Sequence, residues 1–578
     1  MKRILLTISL LLKVIFILLI IAASWGNFFL FNHSYSQFIN HIIEQYHIEN
    51  KAEKLKMLIT AVRYIQLKLF SLAILVTLFA LAFKINYEKI SSNISNNLQE
   101  LKNDLYKTRK VLTSLPPIQK LILLVVLTFY TSTQFYYLVK FPFTIDEAFS
   151  YVFFISKGFF VSASYYPGPN NHILFSELAT FFNTIFHNPV VSTRLTSLIS
   201  SVITVILLFA YLQKKHGVVP AVLASVFFAY SSASLFFSVQ GRGYALINLF
   251  VLVTYMELHQ ALNGKKGYWY LFTISSVLGF YTIPIFLYPF ASFIAFALLA
   301  HIKERKVVVK LIIVSFLVIL FVLLLYLPVL LLNGFNAITG NPWVTAKQNF
   351  FMQLPEYLIS VCNYLWGTER YGIVITGSVL VLSIVFAILR KNKNILLLIS
   401  CVYIIPILLI IIQRTLPFER VWTYFLIILA FQVAFIAGSF FYYIKTPKLL
   451  TTLYIFLAIS FMVFRSIHFY AFYQGGYANY YRQLNTFMDT LYQKNPESVF
   501  VADDTYNVFI RYKWLVNNKV QPQIETLPEN ISPNYDCLIV PVNNPFPASL
   551  DSADYSFFYL NQHIKAYLYK KAPNEIIR

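Results

Sequence analysis

Apolar stretches about 20 residues long recur along nearly the whole of this sequence, and ~20 residues is the length a helix needs to cross a bilayer. Inside hydrocarbon every backbone N–H and C=O must be bonded within the fold, which leaves helices and closed barrels. The runs are continuous and do not alternate, so they read as helices. Composition agrees: 58% of the residues are hydrophobic and 12% are charged. Soluble domains carry roughly 25% charged residues, so this chain has too little polar surface to cover a globule of 578 residues. The expected fold class is an all-α polytopic membrane protein of about 13 transmembrane helices, with a small C-terminal α/β extracytoplasmic domain.

The expected spans lie near 4–23, 67–83, 121–138, 192–212, 218–238, 245–262, 268–284, 285–301, 311–332, 371–389, 394–412, 421–443 and 449–470. A formal charge of +22 raises nucleic acid as a partner, but its placement points elsewhere. The turns 213–217, 263–267, 302–310, 390–393 and 445–448 hold thirteen Lys or Arg residues and one acid, Glu304. Counted from an inside N-terminus, all five turns fall inside, the pattern that sets orientation in membranes. A nucleic-acid binder gathers its basic residues on one soluble face instead. Residues near Lys266, Lys306 and Lys391 are therefore expected in the cytoplasm and the C-terminus outside. Membrane lipids are the expected partners, without nucleic acid, and a bacterial inner (plasma) membrane is the expected setting, though the sequence does not fix the organism.

Three regions follow. Residues 1–117 read as a two-span appendage with a cytoplasmic linker. Its first run is a signal anchor or a long signal peptide ending near Ala22-Ala23-Ser24. The polar stretch 84–120, mixed in charge, suggests a solvated helix broken at Pro116-Pro117. Residues 118–470 form the main transmembrane body, with a long amphiphilic first outer loop at 140–191. Residues 471–578 suggest helices at 480–493 and 504–516 and strands at 498–501, 536–540 and 564–569. Cys362, Cys401 and Cys537 have no metal-ligand or redox spacing.

Ionisable residues at the outer face are the places to look for chemistry. Asp146 and Glu147 follow the first outward span of the body. They either cap the helix that Thr144 begins or serve as a carboxylate pair. Asn170-Asn171-His172 precedes another apolar helix, where an Asn can cap and a lone His is weak evidence of function. Arg242, flanked by Gly241 and Gly243 and followed by Tyr244, sits at an outer turn. Flanking glycines let a backbone approach a ligand, and Arg can clamp phosphate; the bland alternative is an Arg snorkelling to headgroups. Glu419-Arg420 and Arg194 open inward spans, where a positive charge opposes the helix dipole.

This order of features resembles the GT-C superfamily of membrane glycosyltransferases, which includes protein O-mannosyltransferases and the aminoarabinose transferases that modify lipid A. The resemblance covers about 121–470. It implies an acid in the first outer loop, matched by Asp146 with Glu147 beside it, and a polyprenyl-phosphate-linked sugar as donor. Arg242-Gly243-Tyr244 is similar to the Arg-x-Tyr turn of bacterial members. Where many relatives carry a Pro-Pro pair before the second loop helix, this chain has Asn170-Asn171-His172.

The chemistry such a reaction needs is consistent with these residues. A sugar 1-phosphate ester has a good leaving group, so transfer requires a base for the acceptor hydroxyl and positive charge for the departing phosphate. Asp146 is assigned as base and Glu147 as its catalytic neighbour, orienting acceptor or sugar. Arg242, Arg420 and Arg194 are assigned to phosphate, and Asn171, His172, Tyr244 and Glu419 to substrate. A single carboxylate opposite the leaving group implies inversion. The acceptor is a hydroxyl of lipid A, a glycan or a protein. The sequence identifies no cofactor with certainty; a divalent metal is possible, without a clustered set of ligands for it. Rival readings are a flippase or transporter of lipid-linked saccharides, an O-antigen ligase or polymerase, and a scaffold. Transporters usually show paired halves, and this sequence shows no internal repeat.

Overall fold

A computed structural model describes residues 2–46, 55–56, 59–84, 113–168, 170–265, 267–339, 349–444, 447–526, 535–543 and 554–569, with scattered residues between 92 and 110. Lys266, Lys445 and most of the linker expected over 84–120 lie outside these residues.

Helices α1 (Lys2–Asn32) and α2 (Tyr35–Tyr46) meet at a sharp bend and pack with α3 (Ala61–Lys84). The body opens with α4 (Pro117–Lys140) and the loop helices α5 (Ile145–Phe153), α6 (Phe159–Ser164) and α7 (Ile173–Phe186). Next come α8 (Pro189–His216), the bent pair α9 (Val218–Tyr230) and α10 (Ser232–Val239), α11 (Tyr244–Leu262) and α12 (Tyr268–Thr282). They are followed by α13 (Leu287–Ala300), α14 (Arg305–Leu325), α15 (Leu327–Asn333) and α16 (Asn336–Thr339). Helices α17 (Phe350–Trp366), α18 (Gly372–Leu389), α19 (Lys393–Gln413), α20 (Phe425–Tyr443) and α21 (Pro447–Gln474) complete the body.

The thirteen segments expected to span are all helical, yet they are not equally long. Among the described residues nine helices are long and apolar enough to cross a membrane, or eleven if each of two bent pairs is one span. The two that fall short are α12, at 15 residues, and the segment Pro284–Ala300. A 15-residue helix rises only ~22 Å, against a hydrocarbon core of ~30 Å. The chain is a multi-pass membrane protein, with nine helices among its described residues long and apolar enough to cross and two bent pairs that would each count as one further span.

Burial ranks the helices. The apolar windows of α8 and of Glu419–Tyr443 are 61% and 67% buried, whereas that of α3 is 0% buried, so the first two form the centre and α3 faces outward. Helix α8 suits a central place because Ser192, Thr193, Thr196, Ser197, Ser200 and Thr204 give it a narrow buried face. The hydroxyls of Thr193, Ser200 and Thr204 return to the helix backbone, as Thr204 does to the Ser200 carbonyl at 2.7 Å, while Ser197 donates to the Arg242 carbonyl at 3.0 Å. Its ends are set locally. Asn188 Oδ1 accepts the Val191 N–H at 3.0 Å, Pro189 opens the first turn, and Gly217 closes the last at φ 89°. Arg194 and Lys215 thus stand ~31 Å apart along one helix, at opposite ends of the bundle. The helices of the appendage share a separate apolar cluster, Leu30, Phe38, Ile39, Ile43, Ile59 and Tyr64, against which Leu332 of the body packs.

Beyond α21, helices α22 (Gly476–Lys494) and α23 (Asp504–Val516) cover a five-stranded sheet. Its strands are β1 (Ser498–Val501), β2 (Gln523–Thr526), β3 (Cys537–Pro541), β4 (Tyr555–Leu560) and β5 (Ile564–Tyr569), in the order β2-β1-β3-β5-β4. Strand β1 pairs parallel with β2 and β3, and β5 pairs antiparallel with β3 and β4. The α/β character is as expected; edge strands β2 and β4 are additional, and all but one of their residues are incompletely buried. The domain does not stand apart from the body. Phe143, Ala148 and Tyr151 of the first outer loop share one apolar cluster with Leu484, Phe487, Met488, Val508 and Phe509.

Candidate active site

The first turn of α5 carries two adjacent acids that point to different places. Glu147 is fully buried. One of its oxygens accepts the Thr144 N–H at 3.0 Å and the other the Gly241 N–H at 2.8 Å. Arg194 closes on it with Nε at 2.6 Å and Nη2 at 2.8 Å. The rest of that guanidinium is also taken: Nη1 donates to the carbonyls of Leu138 (2.7 Å) and Phe141 (2.8 Å), and Nη2 to that of Pro142 (3.0 Å). All five guanidinium N–H directions are therefore used by the protein.

This geometry corrects two expectations. Arg194, assigned to phosphate from the sequence, has no donor left for it. Glu147, assigned a catalytic part, is closed off by backbone and arginine. Together they tie the end of α4, the start of α5, the start of α8 and the turn after α10 into one unit. The capping role weighed for the acid pair belongs to Glu147 with Thr144.

Asp146 differs. Its side chain is 22% exposed, and its one ionic partner among the described residues is Arg420 Nη1 at 3.0 Å, itself 35% exposed. Arg420 comes from the short turn of helix before α20, stacks over the Phe418 ring at 4.8 Å and leaves its buried Nε without a partner. Its neighbour Glu419 turns away and accepts the Ser360 hydroxyl of α17 at 2.7 Å.

Arg242 is buried, with 2% of its surface exposed, and among the described residues it makes no ion pair. Nη1 donates to Ser150 Oγ at 3.1 Å and to the Asn170 carbonyl at 3.0 Å; Nε has no partner. Nη2 lies 3.4 Å from His172 Nε2. His172 is buried, accepts the Gly243 N–H on Nδ1 at 2.9 Å and meets the Tyr244 ring edge-on at 5.1 Å. Burial, reinforced by the Arg242 and Arg420 charges, holds the His172 ring well below its usual pKa, so it is neutral. Three arginines here meet two carboxylates, which leaves one positive charge in excess.

Asn171 is occupied locally. Its amide donates to the carbonyls of Ser162 (2.8 Å) and Tyr165 (2.9 Å), and its oxygen accepts Ser176 Oγ (2.8 Å), so the substrate contact expected of it is replaced by a loop-shaping role. Among the described residues no three His, Cys, Asp or Glu side chains gather as a metal site.

Several neighbours were not singled out by the sequence. Ser150, one turn beyond Asp146 on α5, was within reach of helical periodicity. Tyr477, Tyr481 and Asn485 on α22 had no local signal, because they meet the loop only through the fold. Asn485 Nδ2 donates to the Phe143 carbonyl at 3.1 Å, and Tyr512 of α23 stacks on the Phe143 ring at 4.6 Å. Burial raises the Tyr481 hydroxyl pKa, and the nearby Asp146 charge raises it further.

A helical membrane body with short helices in its first loop and an acid–arginine cluster at one end defines a class: the chain has the fold of the GT-C membrane glycosyltransferases. It superposes on ArnT from Cupriavidus metallidurans in the apo state with a TM-score of 0.51 at 8% identity, over 77% of this chain and 97% of that one. The same protein bound to undecaprenyl phosphate gives 0.51 at 9% identity, with coverage of 77% and 97%. The arabinosyltransferase EmbB from Mycobacterium smegmatis gives 0.43 at 12% identity, over 64% of this chain and 34% of its own, a likeness too low to add to the argument. In sequence, residues 170–331 match the family model of dolichyl-phosphate-mannose-protein mannosyltransferases. That segment holds His172, Arg194, Arg242 and Tyr244 and leaves out Asp146 and Arg420. No curated protein matches the sequence.

Proposed function

We propose that the chain transfers a sugar from a polyprenyl-phosphate carrier to an acceptor hydroxyl, with inversion, on the outer side of a bacterial inner membrane. One observation carries this reading. The solvent-reached carboxylate Asp146 pairs with Arg420, while Arg242 is buried without an ion pair among the described residues, and the buried Nε–H groups of both arginines lack acceptors. A buried cation without a counter-ion is costly unless an anion joins it. A phosphodiester supplies that anion and a leaving group together. The undecaprenyl phosphate in the ArnT structure is the same class of ligand, and the dolichyl-phosphate donors of the matched family are its close chemical kin.

In this reading the acceptor O–H gives its proton to Asp146 as its oxygen attacks the anomeric carbon. The bond from that carbon to the phosphate oxygen breaks, and the electron pair leaves with the polyprenyl phosphate. Arg242 and Arg420 receive the growing negative charge. When a donor phosphate draws Arg420 toward itself, the Asp146 oxygen that Arg420 holds is released to the acceptor. Tyr244 packs edge-on against the His172 ring and holds it in place. Glu147 and Arg194 position the loop. The acceptor, a hydroxyl of lipid A, a glycan or a protein, approaches from the side of the α/β domain.

The test is turnover of a radiolabelled polyprenyl-phosphate sugar by membranes holding the full chain. Release of polyprenyl phosphate with label in a new glycoconjugate supports transfer. Movement of intact donor between leaflets without that release would make the chain a flippase.

A further inference from the structure

His172 carries two ring nitrogens with separable duties. Nδ1 accepts the Gly243 N–H at 2.9 Å, so the proton of the neutral imidazole sits on Nε2. The polar contact of Nε2 among the described residues is Arg242 Nη2, at 3.4 Å. A guanidinium has only donors, so these two N–H groups cannot bond each other. Arg242 Nε is likewise a buried donor without an acceptor. Four N–H bonds on two residues, one on His172 and three on Arg242, therefore lack an acceptor among the described residues. The contact that fixes the tautomer is itself tightly built. A Cβ on Gly243 would meet His172 Cβ at 2.9 Å, His172 Nδ1 at 3.0 Å and Thr282 Cγ2 at 3.0 Å. Only glycine lets the backbone approach the imidazole this closely.

Resting on the glycosyl-transfer reading, we infer that His172 binds the donor phosphate as a neutral hydrogen-bond donor. Its Nε2–H and Arg242 share one non-bridging phosphate oxygen, and the Gly243 N–H sets the tautomer. A neutral donor beside Arg242 and Arg420 grips the phosphodiester without adding a third charge to repel them. The imidazole holds its proton throughout the reaction.

Two substitutions separate the duties. In His172→Asn the side-chain oxygen still reaches the Gly243 N–H, but nothing stands at the Nε2 position. In His172→Gln the amide nitrogen reaches the Nε2 position and the Gly243 N–H loses its acceptor. Donor KM and binding of unlabelled polyprenyl phosphate are measured on the full chain in lipid nanodiscs. The expected order is Gln close to wild type and Asn at least ~10-fold weaker, the size of a lost hydrogen bond to a charged group. The reverse order, or equal loss in both, overturns the inference and makes His172 a packing residue. If the wild-type chain binds no polyprenyl phosphate at all, the glycosyl-transfer reading itself fails. Should His172→Asn not fold, nitrogen-15 histidine spectra of wild type against His172→Gln read the tautomer directly. A bare Nδ1 with a protonated Nε2 supports the assignment, and a protonated Nδ1 overturns it.

Discussion

The two ends of the helix bundle carry the same kinds of basic residue and use them in opposite ways. At one end Arg194, Arg242 and Arg420 are drawn in among carboxylates, carbonyls and an imidazole. Two of them are almost wholly buried. At the other end Lys306, Lys310, Lys391 and Lys393 stand exposed, and Lys215 meets the His259 ring at 3.0 Å. Charge by count therefore says little. A positive residue left in water sets orientation, and one taken out of water is tolerated only where partners or a ligand make up for lost hydration. The contrast also divides the inner set, since Arg194 is saturated by the protein and Arg242 is not.

The sharpest way to break this contrast is Asp146→Asn. Asn keeps the size of the side chain, and the helix cap rests on Thr144 and Glu147, so the protein should fold and still bind donor. Loss of a general base costs ~100- to 10,000-fold in rate. The measurement is turnover on a defined lipid-linked donor, with donor binding as the control. Near-normal turnover removes Asp146 from the mechanism.

Arg194→Ala should act on the fold instead. It strands the buried Glu147 carboxylate, and breaking such a pair costs about 3–5 kcal/mol. The expected readout is a lower unfolding midpoint and poor accumulation of protein, whether or not donor is present. For the same reason Glu147→Gln should destabilise rather than slow. A stable Arg194→Ala protein whose only defect is donor affinity would return Arg194 to the phosphate site.

Arg242→Ala comes next. Removing a buried charge-assisted contact to a ligand costs ~2–5 kcal/mol, and here no carboxylate of the protein is left stranded. Donor KM should rise at normal protein level, with Arg242→Lys recovering part of the loss because a point charge replaces a planar fork. Equal thermal destabilisation of Arg194→Ala and Arg242→Ala, with donor affinity untouched, would erase the distinction between them.

Much of this architecture is legible in the sequence because the bilayer imposes a single length on every span and a single sign on every inner turn. Those rules are local, so 192–212 and 371–389 can be read without their neighbours. The acid pair was legible too, through its place after the first body span. What could not be read was which acid faces water. Asp146 and Glu147 leave the helix ~100° apart, and the partners of Glu147 lie 47 and 94 residues away, at Arg194 and Gly241. The α/β domain illustrates the same limit. Its helices were readable, whereas the contact of Asn485 with Phe143, 342 residues apart, had no local sign.

The smallest effect is expected at the far end, and it bears on whether the comparison is one of position or only of residue type. Lys306 is exposed at the start of α14, in the turn that also holds Lys303, Arg305 and Lys310. Its ammonium keeps its water, so Lys306→Ala should change stability by no more than ~0.5 kcal/mol. Transfer should stay at the wild-type rate, because the residue lies across the bundle from Asp146. Orientation should hold as well, since the neighbouring basic residues still mark the turn. Placing a cysteine at 306 tests the sidedness directly. A membrane-impermeant thiol reagent should leave it unlabelled in intact cells and label it once the membrane is opened. Labelling in intact cells would put the basic turns outside and the arginine cluster inside. A transferase would then draw its donor from the cytoplasmic leaflet, and the proposed sidedness would have to be reversed.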